Sequence, residues 1–507
     1  MKETPALDNT VIAATGFRID TRQEPIIFLR TDSPVSRSEG FAAMSRVNAE
    51  AKGRSIIATL VYVGEELLQP GEAGLSNAAR RLLGVENGEQ IRLSHPDPVD
   101  SLAHVRAKIY GNALSAVQLR EIISDIVAGR YMDVQLAAFI TACADDRLNT
   151  DEIVHLTEAM VAAGKQLSWP PGRIVDKHSV GGLPGNRTTP IIVSIVAANG
   201  LSMPKTSSRA ITSPSGTADT METLAPVALD LNTMREVVER EGGCIAWGGS
   251  VSLSPADDIL IRVERALDVD SEGQLIASIL SKKIAAGSTD VVIDMPVGPT
   301  AKVRTAEGAA HLSALIEHVS TTLGLNVTVQ LSDGRQPVGH GIGPALEARD
   351  VLAVLQSEPG APADLRQRSV RLAGALLETA GAATKGTGEA CAAQTIDDGR
   401  AWRKFQAICE AQGGMREPPH AAYRYDVFAD RDGIVETVDN RIIARIAKLA
   451  GAPADKAAGV ALKSRIGDRV ARGDVLMTIH ADSPGELEYA LAFERTQPQV
   501  IELSDPA

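Results

Sequence analysis

Residues 173–222 read RIVDKHSVGGLPGNRTTPIIVSIVAANGLSMPKTSSRAITSPSGTADTME, and this stretch decides the fold. Two short apolar pieces, Ile174-Val175 and Leu201-Ser202-Met203, each run into a segment of Gly, Ser, Thr, Lys and Arg. Each segment then feeds a helical pattern, from Pro190 to Ala198 and from Thr217 to Leu224. A strand, a loop of small residues and a helix N-terminus form an anion site from backbone N–H groups and the helix dipole. Because the unit occurs twice, one phosphate-handling site built from both loops is expected. The first loop, Asp176 to Gly182, lacks the spacing of a P-loop or a dinucleotide fingerprint. It still supplies a point charge in Lys177, a hydroxyl in Ser179 and close backbone approach at Gly181-Gly182. The second, Thr206 to Thr217, packs seven hydroxyls and Arg209 into twelve residues, a density of donors that an anion would satisfy.

Working outward, apolar strand cores at 174–175, 202–203, 291–293 and 327–329 alternate with helices at 274–285, 306–323 and 345–355. That order predicts a mostly parallel sheet covered on both faces, with ligands at the carboxyl ends of its strands. We assign this α/β domain to 171–418. Before it, 98–170 reads as a helical subdomain. Ser115 with Gln118 and Asn149 with Glu152 form capping boxes ahead of apolar periodic runs there. Residues 1–97 alternate short β-like runs with polar turns and end at Pro96-Asp97-Pro98, a β-rich domain. After Glu417-Pro418-Pro419, residues 419–507 form an α+β domain whose Gly467-Asp468 and Gly473-Asp474 turns resemble those of barrel-sandwich carrier domains. Lys463 is not in the hairpin that such carriers modify, so a structural role is expected.

Composition narrows the partners. A net charge of −13 and only 3% aromatic residues argue against a nucleic-acid surface or an anionic membrane as partner. No apolar run is long enough to cross a bilayer, and the start, MKETPALDNT, has no signal-peptide core. The four cysteines are widely spaced and form no CxxC, so neither a disulfide framework nor a metal site is expected. The expectation is a cytoplasmic protein.

Several motifs occur in order: DKHSVGG (176–182), PGNRTT (184–189), KTSSRAITSPSGTAD (205–219) with Glu222, ILSKK (279–283) and SDGRQPVGHGIGP (332–344). With them the chain resembles the thymidine/pyrimidine-nucleoside phosphorylase family. The N-terminal domain, PGNRTT and SRAITS resemble its longer, type 2 branch, which includes the archaeal AMP phosphorylases. The resemblance implies a pentosyltransferase that cleaves an N-glycosidic bond with inorganic phosphate as co-substrate and no cofactor. Thymidine is the leading substrate and a nucleoside 5′-monophosphate is the alternative; phosphoribosyl transfer and a non-catalytic carrier or binding role rank behind both. A homodimer or larger homo-oligomer is also implied.

By the same resemblance, Lys177, Ser179, Gly182, Ser207 and Thr217 would handle phosphate. Ser208, Arg209, Ala210, Ile211, Thr212 and Ser213 would line the nucleoside, and Ser278 and Lys302 match further ligand positions. Arg209 with Lys302 would be the cations for a 5′-phosphate. Asp270 aligns with the proton donor of the longer branch, although it also reads as an N-cap for the following helix. His178 occupies the base-side position of the shorter branch. Lys282 reads either as a base contact or as a solvated lysine.

Overall fold

The computed structural model describes residues 10–504 apart from 22–23, 211–212, 252, 268 and 270, and without the side chain of Arg265. Three expected site residues, Ile211, Thr212 and Asp270, therefore lie outside the described residues. The chain forms two compact units, one of Met1–Ala159 with Ile259–Ser271 and one of Met160–Asp258 with Glu272–Ala507.

The first unit opens with a closed barrel of six strands: β1 (Val11–Gly16), β2 (Ile26–Arg30), β3 (Arg46–Ala51), β4 (Arg54–Val63), β5 (Glu72–Leu75) and β6 (Gln90–Ser94). Their order around the barrel is β1-β5-β2-β4-β3-β6. Alternate side chains point inward, so Ile27, Leu29, Val47, Ala49, Leu60 and Leu93 fill the interior. Closure leaves no open edge among these strands.

Helices Leu102–Ile109, Ala116–Val127, Asp133–Ala142 and Thr150–Ala162 follow. Both expected capping boxes form. Gln118 N donates to Ser115 Oγ at 3.4 Å and Ser115 N to Gln118 Oε1 at 2.9 Å. Glu152 N donates to Asn149 Oδ1 at 2.9 Å and Asn149 N to Glu152 Oε2 at 3.0 Å. The buried Glu152 carboxylate also accepts from Lys108 Nζ at 2.6 Å and Leu114 N at 2.8 Å.

In the second unit, β7 (Val175–Ser179), β10 (Asp290–Val297) and β11 (Asn326–Asp333) form a parallel sheet in the order β11-β10-β7. Strands β8 (Met203–Ser207) and β9 (Gly243–Trp247) pair in parallel beside it. A single parallel bridge from Ile174 to Ser202 links the two sets. The helix Thr188–Ala198 is buried nearly throughout, and its Ile191, Ile192, Ile195 and Val196 pack with Val292, Met203 and Phe405.

Two elements differ from the sequence expectation. The segments read as loops from Asp176 and from Thr206 begin as strand. Strand β7 continues through Ser179 because it pairs with β10, Ser179 opposite Asp294, and β8 continues through Ser207, opposite Trp247. Local polarity hid them, whereas in a doubly covered parallel sheet the ladder decides.

The chain beyond Pro419, with β12 from before it, forms two small sheets, β12-β15-β17-β13 and β16-β14-β18, and the helix Asn440–Leu449. Here β12 is Gly341–Ile342, β13 Tyr423–Phe428, β14 Gly433–Val438, β15 Gly459–Leu462, β16 Arg469–Val470, β17 Val475–Ala481 and β18 Ile501–Ser504. Strand β12, from the SDGRQPVGHGIGP motif, pairs antiparallel with β15. Lys463 follows β15 and its N–H donates to Leu476 O at 2.9 Å, so it sits in a paired segment rather than at a hairpin tip.

Candidate active site

Alternation along β7 sorts the DKHS motif onto two sides of the sheet. Lys177 and Ser179 share one side with Asp294 of β10. Ser179 Oγ donates to Asp294 Oδ2 at 3.1 Å and accepts from Asn186 Nδ2 at 3.2 Å. Asn186 Nδ2 also donates to Asp294 Oδ2 at 2.8 Å, and Ser332 Oγ donates to Asp294 Oδ1 at 2.5 Å. Arg368 stands 3.8 Å from the same carboxylate. Burial alone would raise the Asp294 pKa, but Lys177, Arg368 and these hydrogen bonds outweigh it and hold the carboxyl below its usual range. The Lys177 ammonium is buried and makes no hydrogen bond or ion pair within the described residues. Burial, with Arg187 and Arg368 nearby, lowers its pKa to about 8 despite Asp294 and Asp176.

Asp176 and His178 face the other way. Asp176 Oδ2 takes Lys283 Nζ at 2.6 Å, and Lys205 Nζ lies 3.2 Å from Oδ1. Burial opposes the charge on Asp176, yet Lys205 and Lys283 keep its pKa low. His178 is pushed well below its ordinary value by burial and by Lys283, Lys205, Lys282 and Lys177. Its imidazole is therefore neutral near pH 7 and has no second proton to release. Lys282 is not a free solvated lysine, because its Nζ is paired with the Asp257 carboxylate at 2.7 Å.

Backbone approach brings the first loop against the Lys302 segment. Gly182 has φ +77°, and a Cβ there would stand 2.6 Å from Lys302 N, so only glycine fits without displacement. The Lys302 side chain is exposed. Ser278 lies half-buried on the helix Glu272–Ala285, whose Lys283 reaches Asp176.

The second loop is folded back on the helix Thr217–Glu222. Asp219 Oδ2 accepts from Ala210 N at 2.6 Å and Gly216 N at 3.0 Å. Arg209 makes two 2.7 Å hydrogen bonds to Glu222 and lies 4.9 Å over the Trp247 ring. The Arg209 hydrogen bonds lower Glu222 to about 2. Ser213 Oγ donates to Ser215 O at 2.7 Å, while Ser208 is exposed and its carbonyl accepts from Ala218 N at 3.3 Å. Among the described residues Ser207 Oγ and Thr188 Oγ1 are buried without a partner. Buried hydroxyls are normally satisfied, and an anion is one group that would supply the missing acceptor.

Arg187 joins the two loops. Its NH1 donates to Thr217 Oγ1 at 2.7 Å and its NH2 to Ser215 O at 2.9 Å, while Nε bonds Glu347 Oε2 at 2.6 Å. Both partners of this ion pair are at least nine-tenths buried. Removing the arginine leaves a buried carboxylate uncompensated, which costs about 3–5 kcal/mol. Arg187→Met is therefore expected to lower the unfolding free energy by that order, read as a lower urea midpoint, with part of the loss recovered in R187M/E347Q. An unchanged midpoint would show that the pair carries no stability.

Sequence reading did not single out Asp294, Asn186, Arg187, Arg368 or the Lys205–Asp176–Lys283 set. One signal was present: an acid inside the apolar run of β10, VVIDMPV, where an unpaired charge would be too costly to bury.

Parallel strands carrying a prepared anion cradle at their carboxyl ends, after a helical bundle, define an α/β glycosyl-transferring enzyme. The family model described as glycosyl transferase family, a/b domain, matches residues 171–402. The helical bundle domain of the same family matches 103–164, and the pyrimidine nucleoside phosphorylase C-terminal domain matches 434–496. A protein of a Polaromonas species named "Putative thymidine phosphorylase" is 60% identical over 96% of both chains. One of the same name from Legionella pneumophila is 57% identical over 96% of this chain and 94% of that one. Anthranilate phosphoribosyltransferase from Thermus thermophilus shares the fold, with a TM-score of 0.51 and 20% identity over 61% of this chain and 98% of its own. The chain belongs to the thymidine/pyrimidine-nucleoside phosphorylase family and is a pentosyltransferase. No helix of the described residues is long and apolar enough to cross a membrane.

Proposed function

We propose that the protein catalyses thymidine + phosphate = thymine + 2-deoxyribose 1-phosphate. A phosphate oxygen forms the new bond to C1′ as the bond from C1′ to the base nitrogen breaks, and the departing base accepts a proton. The observation that carries the reading is the buried Lys177 ammonium, without a contact partner among the described residues, together with the unsatisfied hydroxyls of Ser207, the last residue of β8, and Thr188, the first residue of the helix after the first loop. A buried ammonium with no carboxylate at contact distance is costly unless a ligand completes it. In this reading Lys177, Ser179, Ser207 and Thr217 hold the attacking phosphate, with the Gly182 backbone alongside. Residues 208–213, Ser278 and Lys302 bind the nucleoside. Asp270 protonates the base, and the neutral state of His178 favours that assignment. The working unit in this reading is a homodimer or larger homo-oligomer.

The nucleoside is favoured over a 5′-monophosphate because one of the two cations available for that second phosphate, Arg209, is already held by Glu222 and Asp219. Free-base release from thymidine, deoxyuridine, AMP and CMP, with and without phosphate, tests the assignment. Phosphate-dependent thymine release at the highest kcat/KM is expected, and a clear preference for AMP or CMP would replace the reading with nucleotide phosphorolysis.

The pH dependence follows from Lys177. Lysine loses its charge as pH rises through its pKa, and kcat/KM reports the free enzyme. With that pKa at about 8, kcat/KM for phosphate should be level below pH 8 on the alkaline side and fall towards tenfold per unit above it. A profile level to pH 10 would remove Lys177 from phosphate binding.

A further inference from the structure

We infer that the C-terminal domain is a positioning clamp for the two substrate loops, acting through Lys456 and Asn440. The inference rests on the proposed phosphorolysis and deepens it. Lys456 follows the helix Asn440–Leu449 and precedes β15. Its Nζ stands 3.1 Å from Glu222 and 3.6 Å from Asp219, the two acids onto which the second loop is folded. Arg209 and Lys456 thus face Glu222 and Asp219, two cations against two carboxylates. Without Lys456 the carboxylates exceed the cations, and the hold on Arg209 and on the Ala210 N–H is weakened by repulsion between the acids.

The backbone of the same residue adds a second link. Lys456 O accepts from Ala345 N at 2.9 Å, at the start of the helix Pro344–Leu355. That helix carries Glu347, which fixes Arg187 and through it Ser215 and Thr217.

Asn440 does the corresponding work for the first loop. It is buried, and its Nδ2 donates to Thr300 Oγ1 at 2.9 Å and Gly334 O at 2.9 Å. Thr300 belongs to the turn that presents the Lys302 backbone to Gly182. Neither Lys456 nor Asn440 is placed against substrate. They act through the loops.

The test compares full-length K456M, K456Q, K456R and N440S. Lys456→Met is expected to raise the thymidine KM about tenfold, the scale of one charge-assisted contact, and to leave the phosphate KM within about twofold. Lys456→Arg should restore the wild-type value. Lys456→Gln should give a smaller rise and carries the measurement if K456M does not fold. Asn440→Ser should raise the phosphate KM instead. Equal changes in both constants, or a fall in kcat alone that tracks loss of folded protein, would reduce these residues to interdomain glue and overturn the clamp. A reading independent of turnover is trypsin cleavage after Arg209 in the unliganded protein. It should quicken in K456M and not in K456R, and an unaltered rate also overturns the proposal. If the wild-type protein releases no base from any nucleoside while K456M is still cut faster, the clamp stands and the assigned reaction fails.

Discussion

Lys177→Met is expected to lower kcat/KM for phosphate by about 10³-fold while the protein stays as stable as the wild type, or becomes more so. The two halves of that result have one cause. The ammonium is buried, and no carboxylate among the described residues pairs with it at contact distance. The unliganded protein therefore bears a desolvation cost that methionine, similar in length and apolar, does not carry. In the proposed reading, bound phosphate brings its attacking oxygens beside the same charge in a low-dielectric site. Loss of one preorganised group there costs about 10²–10³ in rate. Steady-state kinetics against phosphate, paired with thermal unfolding, checks both halves. Activity retained within tenfold, or a large drop in melting temperature, would show that Lys177 serves the fold rather than the anion.

Asp270→Asn should reduce kcat/KM for thymidine by about 10³-fold, within the 10²–10⁴ range of a positioned general acid. The loss should shrink for a nucleoside whose base leaves readily as an anion, such as one bearing an electron-withdrawing nitro group on the pyrimidine ring. That leaving group needs no proton in the transition state. His178→Asn, by contrast, should cost no more than about tenfold, because a neutral imidazole can donate a hydrogen bond but has no excess proton to deliver. Measured side by side, the two substitutions separate the candidates. A leaving-group-dependent loss in H178N and none in D270N would reverse the assignment.

Much of the fold was legible because local and global signals agree in it. The capping boxes at Ser115 and Asn149, the apolar helix Thr188–Ala198 and the strand β10 are each written in residues that favour the element they form. The strand extensions through Lys177 and Thr206 were not legible, since polar residues enter those strands only because neighbouring strands pair with them. The site split in the same way. Lys177 and Ser179 stand out as a charge and a hydroxyl next to a glycine pair. Asp294, Arg368 and Lys283 come from segments more than a hundred residues downstream of Lys177 and acquire meaning only when β10, the helix before it and the helix Ala363–Thr379 fold beside β7. Arg209 shows a different limit, since the sequence marks the cation but not the pairing with Glu222 and Asp219 that the fold gives it.

The contacts made by Lys456 bear on when a newly made chain becomes competent. Every loop residue assigned to substrate lies at or before Lys302, yet the residue that holds the second loop is roughly 150 positions later. At about 5–20 residues per second of synthesis, that interval is roughly 8–30 s. During it the cradle has emerged from the ribosome without its fastening. On the proposed clamp, the nascent chain grips the nucleoside loosely until nearly its whole length has been translated, and a message broken before codon 456 yields a protein with every residue proposed for ligand binding but a slack second loop.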